Sequence, residues 1–215
     1  MASAERQQRL HDACLYLVAD TAALERVLDA ALAGGVDVVQ LRDKTASDEE
    51  LLRAAQAIGA RCREAGALFL VNDRPDLAAA AGADGVHVGQ DDEPVAAARA
   101  LVGEDAIVGL STHSVEQAHA GARSGADYIA VGPVHETPTK EGRAAIGLEP
   151  VRWAAANVDV PWFAIGGLDA RNVHEVVDAG ARRVVVVRAI AHAENPRATA
   201  NELRIHLERS GDGQA

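Results

Sequence analysis

The apolar residues of this chain fall into two alternating patterns: short runs of about four or five, and longer stretches where they return every three or four positions. Short Val/Leu/Ile-rich runs are strands buried on both faces, as in a parallel sheet, and the longer periodic stretches are amphipathic helices. A recurring phrase punctuates the alternation: Gly34-Gly35-Val36, Gly82-Ala83-Asp84, Gly125-Ala126-Asp127 and Gly180-Ala181-Arg182 each precede a short apolar run. Glycine past a helix end supplies the left-handed cap, so each phrase marks a helix ending and feeding a strand. The phrases lie roughly forty to fifty-five residues apart, too far for one βα unit and suited to two. Further strands at 15–19, 68–71, 107–110 and 163–165 bring the number to eight.

The segments between strands read as helices, with capping-box pairs at Ser47/Glu50 and Ser114/Gln117 and proline near helix starts at Pro94 and Pro150. Strict alternation predicts right-handed crossovers and an all-parallel sheet. Eight evenly spaced units close more naturally into a (β/α)8 TIM barrel than they lie open as a doubly wound sheet. One domain is expected over residues 1–209, with 210–215 a frayed, disordered tail.

Composition narrows the picture. With 48% hydrophobic but only 3% aromatic residues, the core must be built from Ala, Val, Leu and Ile. A formal charge of −11 without a Lys/Arg cluster excludes nucleic acid and anionic lipid as partners. An anionic small molecule must then meet a local cationic pocket. Cys14 and Cys62 stand far apart without a neighbouring His cluster, which argues against a disulfide framework or a zinc site and for reduced thiols in a cytoplasmic protein. The apolar stretch 13–19 is bracketed by Asp12 and Asp20 and is too short for a signal segment, and no run reaches the length of a membrane span.

In a barrel of this kind the chemistry gathers at the C-terminal ends of the strands. After the second strand, Gln40-Leu41-Arg42-Asp43-Lys44 alternates so that Gln40, Arg42 and Lys44 share a face with Val38 while Leu41 faces the helices. An amide and two cations suit a phosphorylated ligand, and an exposed loop with ion pairs from Asp43 is the other reading. The third and fourth strands end in Asn72-Asp73 and Gly89-Gln90-Asp91-Asp92, bringing two acids out on neighbouring strands roughly 4.8 Å apart. They fit one Mg²⁺ that keeps its waters, or, since each precedes an x-Pro step, two helix caps. Ser111 leaves the fifth strand, Thr137-Pro138-Thr139-Lys140 follows the sixth as a polar loop, and Gly166-Gly167 and Val187-Arg188 end the seventh and eighth, where barrels bind phosphate at glycine-rich turns. His87, His113 and His135 lack metal-ligand spacing and are read as bystanders.

Taken in order, Leu15-Tyr16-Leu17-Val18, Gln40-Leu41-Arg42-Asp43-Lys44, Val71-Asn72-Asp73, His87-Val88-Gly89-Gln90-Asp91-Asp92, Val131-Gly132-Pro133, Thr137-Pro138-Thr139-Lys140 and Ile165-Gly166-Gly167 resemble the thiamine-phosphate synthase family over nearly the whole chain. The resemblance implies a transferase that joins a pyrimidine pyrophosphate to a thiazole phosphate and releases pyrophosphate. It implies that Gln40, Leu41, Arg42, Asp43, Lys44 and Asn72 form the pyrimidine pyrophosphate site, that Ser111 and Lys140 contact the diphosphate, and that Asp73 and Asp92 bind Mg²⁺. Around the thiazole phosphate it implies Thr137, Pro138, Thr139, Gly167, Val187 and Arg188. Arg42, Lys44, Ser111 and Lys140 would carry the catalysis. Two positions depart from the family pattern: Arg188 stands where the family usually has Ser, and His135-Glu136 replaces a more commonly aromatic stretch. A thiazole tautomerase of the same superfamily and a noncatalytic phosphate sensor are the competing readings, and a homo-oligomer is left open.

Overall fold

The computed structural model describes residues 3–137 and 144–208; the expected tail at 210–215 lies outside them. Its strands are β1 (Leu15–Ala19), β2 (Val38–Leu41), β3 (Leu68–Asn72), β4 (Gly85–Val88), β5 (Ile107–Thr112), β6 (Tyr128–Val131), β7 (Trp162–Ile165) and β8 (Val184–Val186). All pair in parallel, and β8 pairs with β1 to close the barrel in sequence order. The helices are α1 (Ser3–Asp12), α2 (Thr21–Ala33), α3 (Asp48–Ala65), α4 (Pro75–Ala81), α5 (Val95–Val102), α6 (Val115–Gly121), α7 (Glu149–Asn157), α8 (Val173–Asp178), α9 (Arg188–Ala191) and α10 (Pro196–Glu208).

Strand alternation splits the core in two. Leu15, Leu17, Val39, Leu41, Val71, Val86 and Val131 pack outward against the helices. Tyr16, Val18, Val38, Leu70, Ile107, Tyr128, Phe163 and Val185 fill the barrel itself. Half of the chain's six aromatics are spent there: Tyr16, Tyr128 and Phe163 meet edge to face at centroid separations of 5.4 to 6.0 Å. Gly109 makes room for them, since a side-chain carbon at that position would collide with the Tyr128 ring.

Two features were not read from the sequence. Helix α1 precedes the first strand and closes the N-terminal end of the barrel, where its Leu10 is fully buried within the inner core. The second is a repeated clasp beneath the strands. Asp37 accepts from the main-chain N–H of Leu15 at 2.9 Å, Asp84 from Phe69 at 3.0 Å and Asp127 from Val108 at 2.7 Å. Each carboxylate is answered by an arginine: Arg204 on Asp37, Arg6 on Asp84 and Arg99 on Asp127. The fourth repeat carries Arg182 in place of the acid.

Of the two capping boxes, Ser47/Glu50 is reciprocal. At Ser114 only half forms: its hydroxyl accepts from Gln117 N–H at 3.2 Å, while the Gln117 carbonyl accepts from His113 N–H at 2.8 Å. Cys14 and Cys62 are free thiols, and burial pushes each up to about 12.

Candidate active site

A cavity of about 410 Å³ opens at the C-terminal end of the barrel. Gln40, Arg42, Asn72, Ser111, Thr137, Gly167, Val187 and Arg188 line it, so residues from six different strand ends converge on one space. Pro138, Thr139 and Lys140 lie outside the described residues.

Among the described candidates, Leu41, Asp43, Lys44, Asp73 and Asp92 do not line the cavity; the last three meet one another next to Asn72, which does, whereas Leu41 and Asp43 turn elsewhere. Leu41 is fully buried on the outer face of β2, as its parity requires. Asp43 turns to the main chain: it accepts from Thr45 N–H at 3.1 Å, Thr45 Oγ1 at 2.9 Å, Ala46 N–H at 3.2 Å and Thr21 N–H at 3.3 Å. Burial pushes this carboxyl upward, but the hydrogen bonds from Thr45, Thr21 and Ala46 together outweigh it and hold Asp43 at about 2. Its work is to build the loop that carries Arg42 and Lys44.

Asp73 and Asp92 are not helix caps, contrary to the second reading their x-Pro contexts allow. Neither α4 nor α5 has a side-chain cap, and Asp92 instead accepts from Gly89 N–H at 2.8 Å. Asp73 sits at φ 59°, the only non-glycine with positive φ among the described residues, a conformation that costs about 1 to 3 kcal/mol and tends to persist where function needs it. Its carboxyl is pushed above the ordinary range by partial burial and then by the hydrogen bond and like charge of Asp92, while Lys44 at 3.8 Å and Asn72 pull it down. Two carboxylates held together against their repulsion are a donor set for a hard cation. Among the described residues no third acid, His or Cys joins them, so the remaining positions would fall to water and ligand oxygens.

At the opposite wall Gly166 and Gly167 take φ 111° and 65°, with Gly166 pressed against the main chain of Pro133. Only glycine allows that turn, and it brings bare main chain to the cavity. Strand parity misleads at β8. Val186, whose face Arg188 would share, packs outward against the helices, and Val185 and Val187 face the interior. The strand ends at Val186, however, and Arg188 lines the cavity as the first residue of α9, with no ion pair to Glu194.

The sequence reading also passed over His87, Tyr16 and Tyr128. Gln40 Nε2 donates to the Tyr16 hydroxyl at 2.5 Å, the two tyrosine hydroxyls stand 2.9 Å apart, and the Tyr128 hydroxyl lies 2.8 Å from His87 Nδ1. His87 Nε2 is 2.9 Å from Ser111 Oγ. All five residues are buried. The available signal was parity: two tyrosines and a histidine on inward strand positions must find polar partners. His113 also lines the cavity, its Nδ1 2.6 Å from the Gly132 carbonyl oxygen.

The family model for thiamine monophosphate synthase matches residues 15–190. A thiamine-phosphate synthase of Acidothermus cellulolyticus is 53% identical over 204 residues, covering 92% of this chain and 96% of the relative. One from Nostoc punctiforme is 50% identical over 208 residues; the alignment covers 95% of this chain but only 59% of that longer protein. Among solved structures, thiamine phosphate pyrophosphorylase from Pyrococcus furiosus superposes with a TM-score of 0.84 at 34% identity, covering 95% of this chain and 98% of that one.

Proposed function

The chain belongs to the thiamine monophosphate synthase family, and from that membership we propose that it condenses hydroxymethylpyrimidine pyrophosphate with hydroxyethylthiazole phosphate, giving thiamine phosphate and pyrophosphate. The observation that carries the reading is the meeting of Lys44, Asp73 and Asp92 at the rim of a cavity that Arg42, Asn72 and Ser111 line. In a chain of net charge −11, cations gathered there answer a polyanionic substrate.

In this reading Gln40, Arg42, Lys44 and Asn72 hold the pyrimidine pyrophosphate, with Ser111 and Lys140 on its diphosphate. Asp73 and Asp92 are the ligands for Mg²⁺, which when bound neutralises charge on the departing diphosphate. The reaction is a dissociative substitution. The bond from the pyrimidine methylene to the diphosphate oxygen breaks, its electron pair leaves with pyrophosphate, and the thiazole nitrogen donates the pair that forms the new bond. No side-chain nucleophile is needed. Arg42 offers a fork to the diphosphate and Lys44 a point charge, both worth most on the charge that grows as the bond breaks. Thr137 to Thr139, the main chain at Gly167, and Val187 and Arg188 hold the thiazole phosphate so that its nitrogen lies in line. The acid pair beside Lys44 favours the synthase over a thiazole tautomerase, whose proton transfer involves no leaving diphosphate. Small-molecule partners suffice for this function, no nucleic acid or membrane is called for, and the cytoplasm suits two reduced thiols; no described helix is long and apolar enough to cross a membrane.

The test is incubation of both substrates with Mg²⁺. Thiamine phosphate and pyrophosphate should form in equal amounts, and only when both substrates are present. Ligand binding without turnover would replace the synthase with a sensor.

A further inference from the structure

The buried chain from Gln40 through Tyr16, Tyr128 and His87 to Ser111 crosses the barrel interior from β2 to β5 and ends on cavity-lining residues at both ends. Its direction follows from counting hydrogens. Gln40 donates to Tyr16, so the only hydrogen on the Tyr16 hydroxyl has one acceptor within reach, Tyr128. Tyr128 then gives its hydrogen to His87 Nδ1, the ring carries its hydrogen on Nε2, and that hydrogen goes to Ser111 Oγ. The Ser111 hydroxyl hydrogen is left to point into the cavity. Reversing any one link strands a hydrogen or a lone pair in the dry interior, so the links turn over together or not at all. Burial keeps both phenols neutral by raising them well above their ordinary range, so the two tyrosines carry orientation and no charge. The rings are fixed by the Phe163 and Tyr16 edges, by His87 stacked on Tyr128 at 5.5 Å, and by the space left at Gly109.

We propose that Tyr16, Tyr128 and His87 are positioning residues which set, as one unit, the direction in which Gln40 and Ser111 present hydrogens to the bound substrate. With the chain in its observed direction Ser111 is a donor, the form a diphosphate oxygen needs. Gln40, having used one N–H on Tyr16, keeps its carbonyl oxygen and second N–H for the ligand. What Gln40 accepts or donates at one wall therefore biases what Ser111 can offer at the other.

The proposal rests on the synthase reading only for the identity of the ligand, and its first measurement needs none. Glutamate at position 40 is an acceptor only, so Gln40→Glu must draw the Tyr16 hydrogen toward itself and reverse every later link. Histidine ¹⁵N shifts, assigned through His87→Gln and recorded where imidazole is neutral, report which ring nitrogen carries the hydrogen. The expected result is Nε2–H in the native chain and Nδ1–H in Gln40→Glu, with no Gln40-dependent change once Tyr128→Phe has cut the chain. If Tyr128→Phe does not fold, Tyr16→Phe cuts it one link earlier. An unchanged His87 tautomer in Gln40→Glu overturns the proposal. The second measurement titrates inorganic pyrophosphate with Mg²⁺: Gln40→Glu should weaken binding about tenfold more in the native background than in Tyr128→Phe. Equal losses would mean that the added charge acts alone, and the coupling would be gone. Absence of thiamine phosphate formation by the native chain would instead sink the synthase reading and leave the tautomer result standing.

Discussion

Lys44 Nζ stands 3.8 Å from Asp73 Oδ2, so the loop after β2 and the end of β3 meet cation to carboxylate at the rim of the cavity, with Asp92 on the other side of Asp73. Because neither acid caps a helix, Asp73→Asn and Asp92→Asn are expected to abolish most turnover while the melting temperature changes little or rises as the like-charge contact is relieved. Activity per folded molecule and thermal melts decide it. Variants that melt early yet turn over normally would return both residues to a structural role.

Arg188 lines the cavity from the start of α9 and makes no ion pair with Glu194. Arg188→Ser, which restores the residue usual in the family, should weaken thiazole phosphate binding by about 1.5 to 3 kcal/mol, the worth of a hydrogen bond to a charged group. Pyrimidine pyrophosphate binding should hardly change. Calorimetric titration of each ligand reads this directly, and equal thiazole phosphate affinities would assign the contact to main-chain N–H groups.

Asp43 ties a pH dependence to the loop carrying Arg42 and Lys44. Its folded pKa of about 2 lies below the roughly 3.9 of an unfolded Asp, so the native state favours the ionised form. That contribution is fully present above about pH 4 and is lost as pH falls through about 2. Asp43→Asn should therefore cost about 1 to 2 kcal/mol near neutrality, and the difference from the native chain should shrink toward zero across that acid window. Denaturant melts at several pH values test it; a gap that persists at the acid end would assign the loss to packing.

Gly109 is the point where the inner core is tightest. Gly109→Ala would push a methyl into the Tyr128 ring, which Tyr16 and Phe163 hold from other sides. The expected cost is about 1 to 3 kcal/mol of stability. Circular dichroism melts should show it, and an unchanged midpoint would mean that the ring yields freely.

What was legible in the sequence, and what was not, divides along one physical line. Glycine before a short apolar run announces four of the strands, and the short apolar runs lying between those phrases supply the other four, so all eight strands of the barrel follow from the alternation. Helix α1 has no strand before it to mark its start, so nothing in the alternation announces it. The cavity-lining residues at strand ends were readable from the fold alone. Leu41 and Asp43 were drawn in by their neighbours: adjacent residues share a motif but not a face, and the one packs against helices while the other serves its own loop. At β8 parity failed because the strand stops at Val186 and a helix begins two residues later. His87 was judged only as a metal ligand, a test blind to a histidine whose partners are a phenol and a hydroxyl on strands far away in the chain.

The clasps beneath the strands are not evenly shared. At three of the four repeats a carboxylate ties the foot of one strand to its neighbour, but beneath β7 and β8 that place belongs to Arg182, and the next residue, Arg183, has its Nε buried without a partner among the described residues while its terminal nitrogen reaches the His11 carbonyl at 2.7 Å. There β8, three residues long, matches β7 at only two positions. The cylinder thus has a seam, and its staves should part there first. Amide hydrogens along β7 and β8 should exchange through smaller openings than those of β3 to β6, and the wall proposed for the thiazole phosphate, hung from the top of that same seam, should be the side of the cavity with room to breathe.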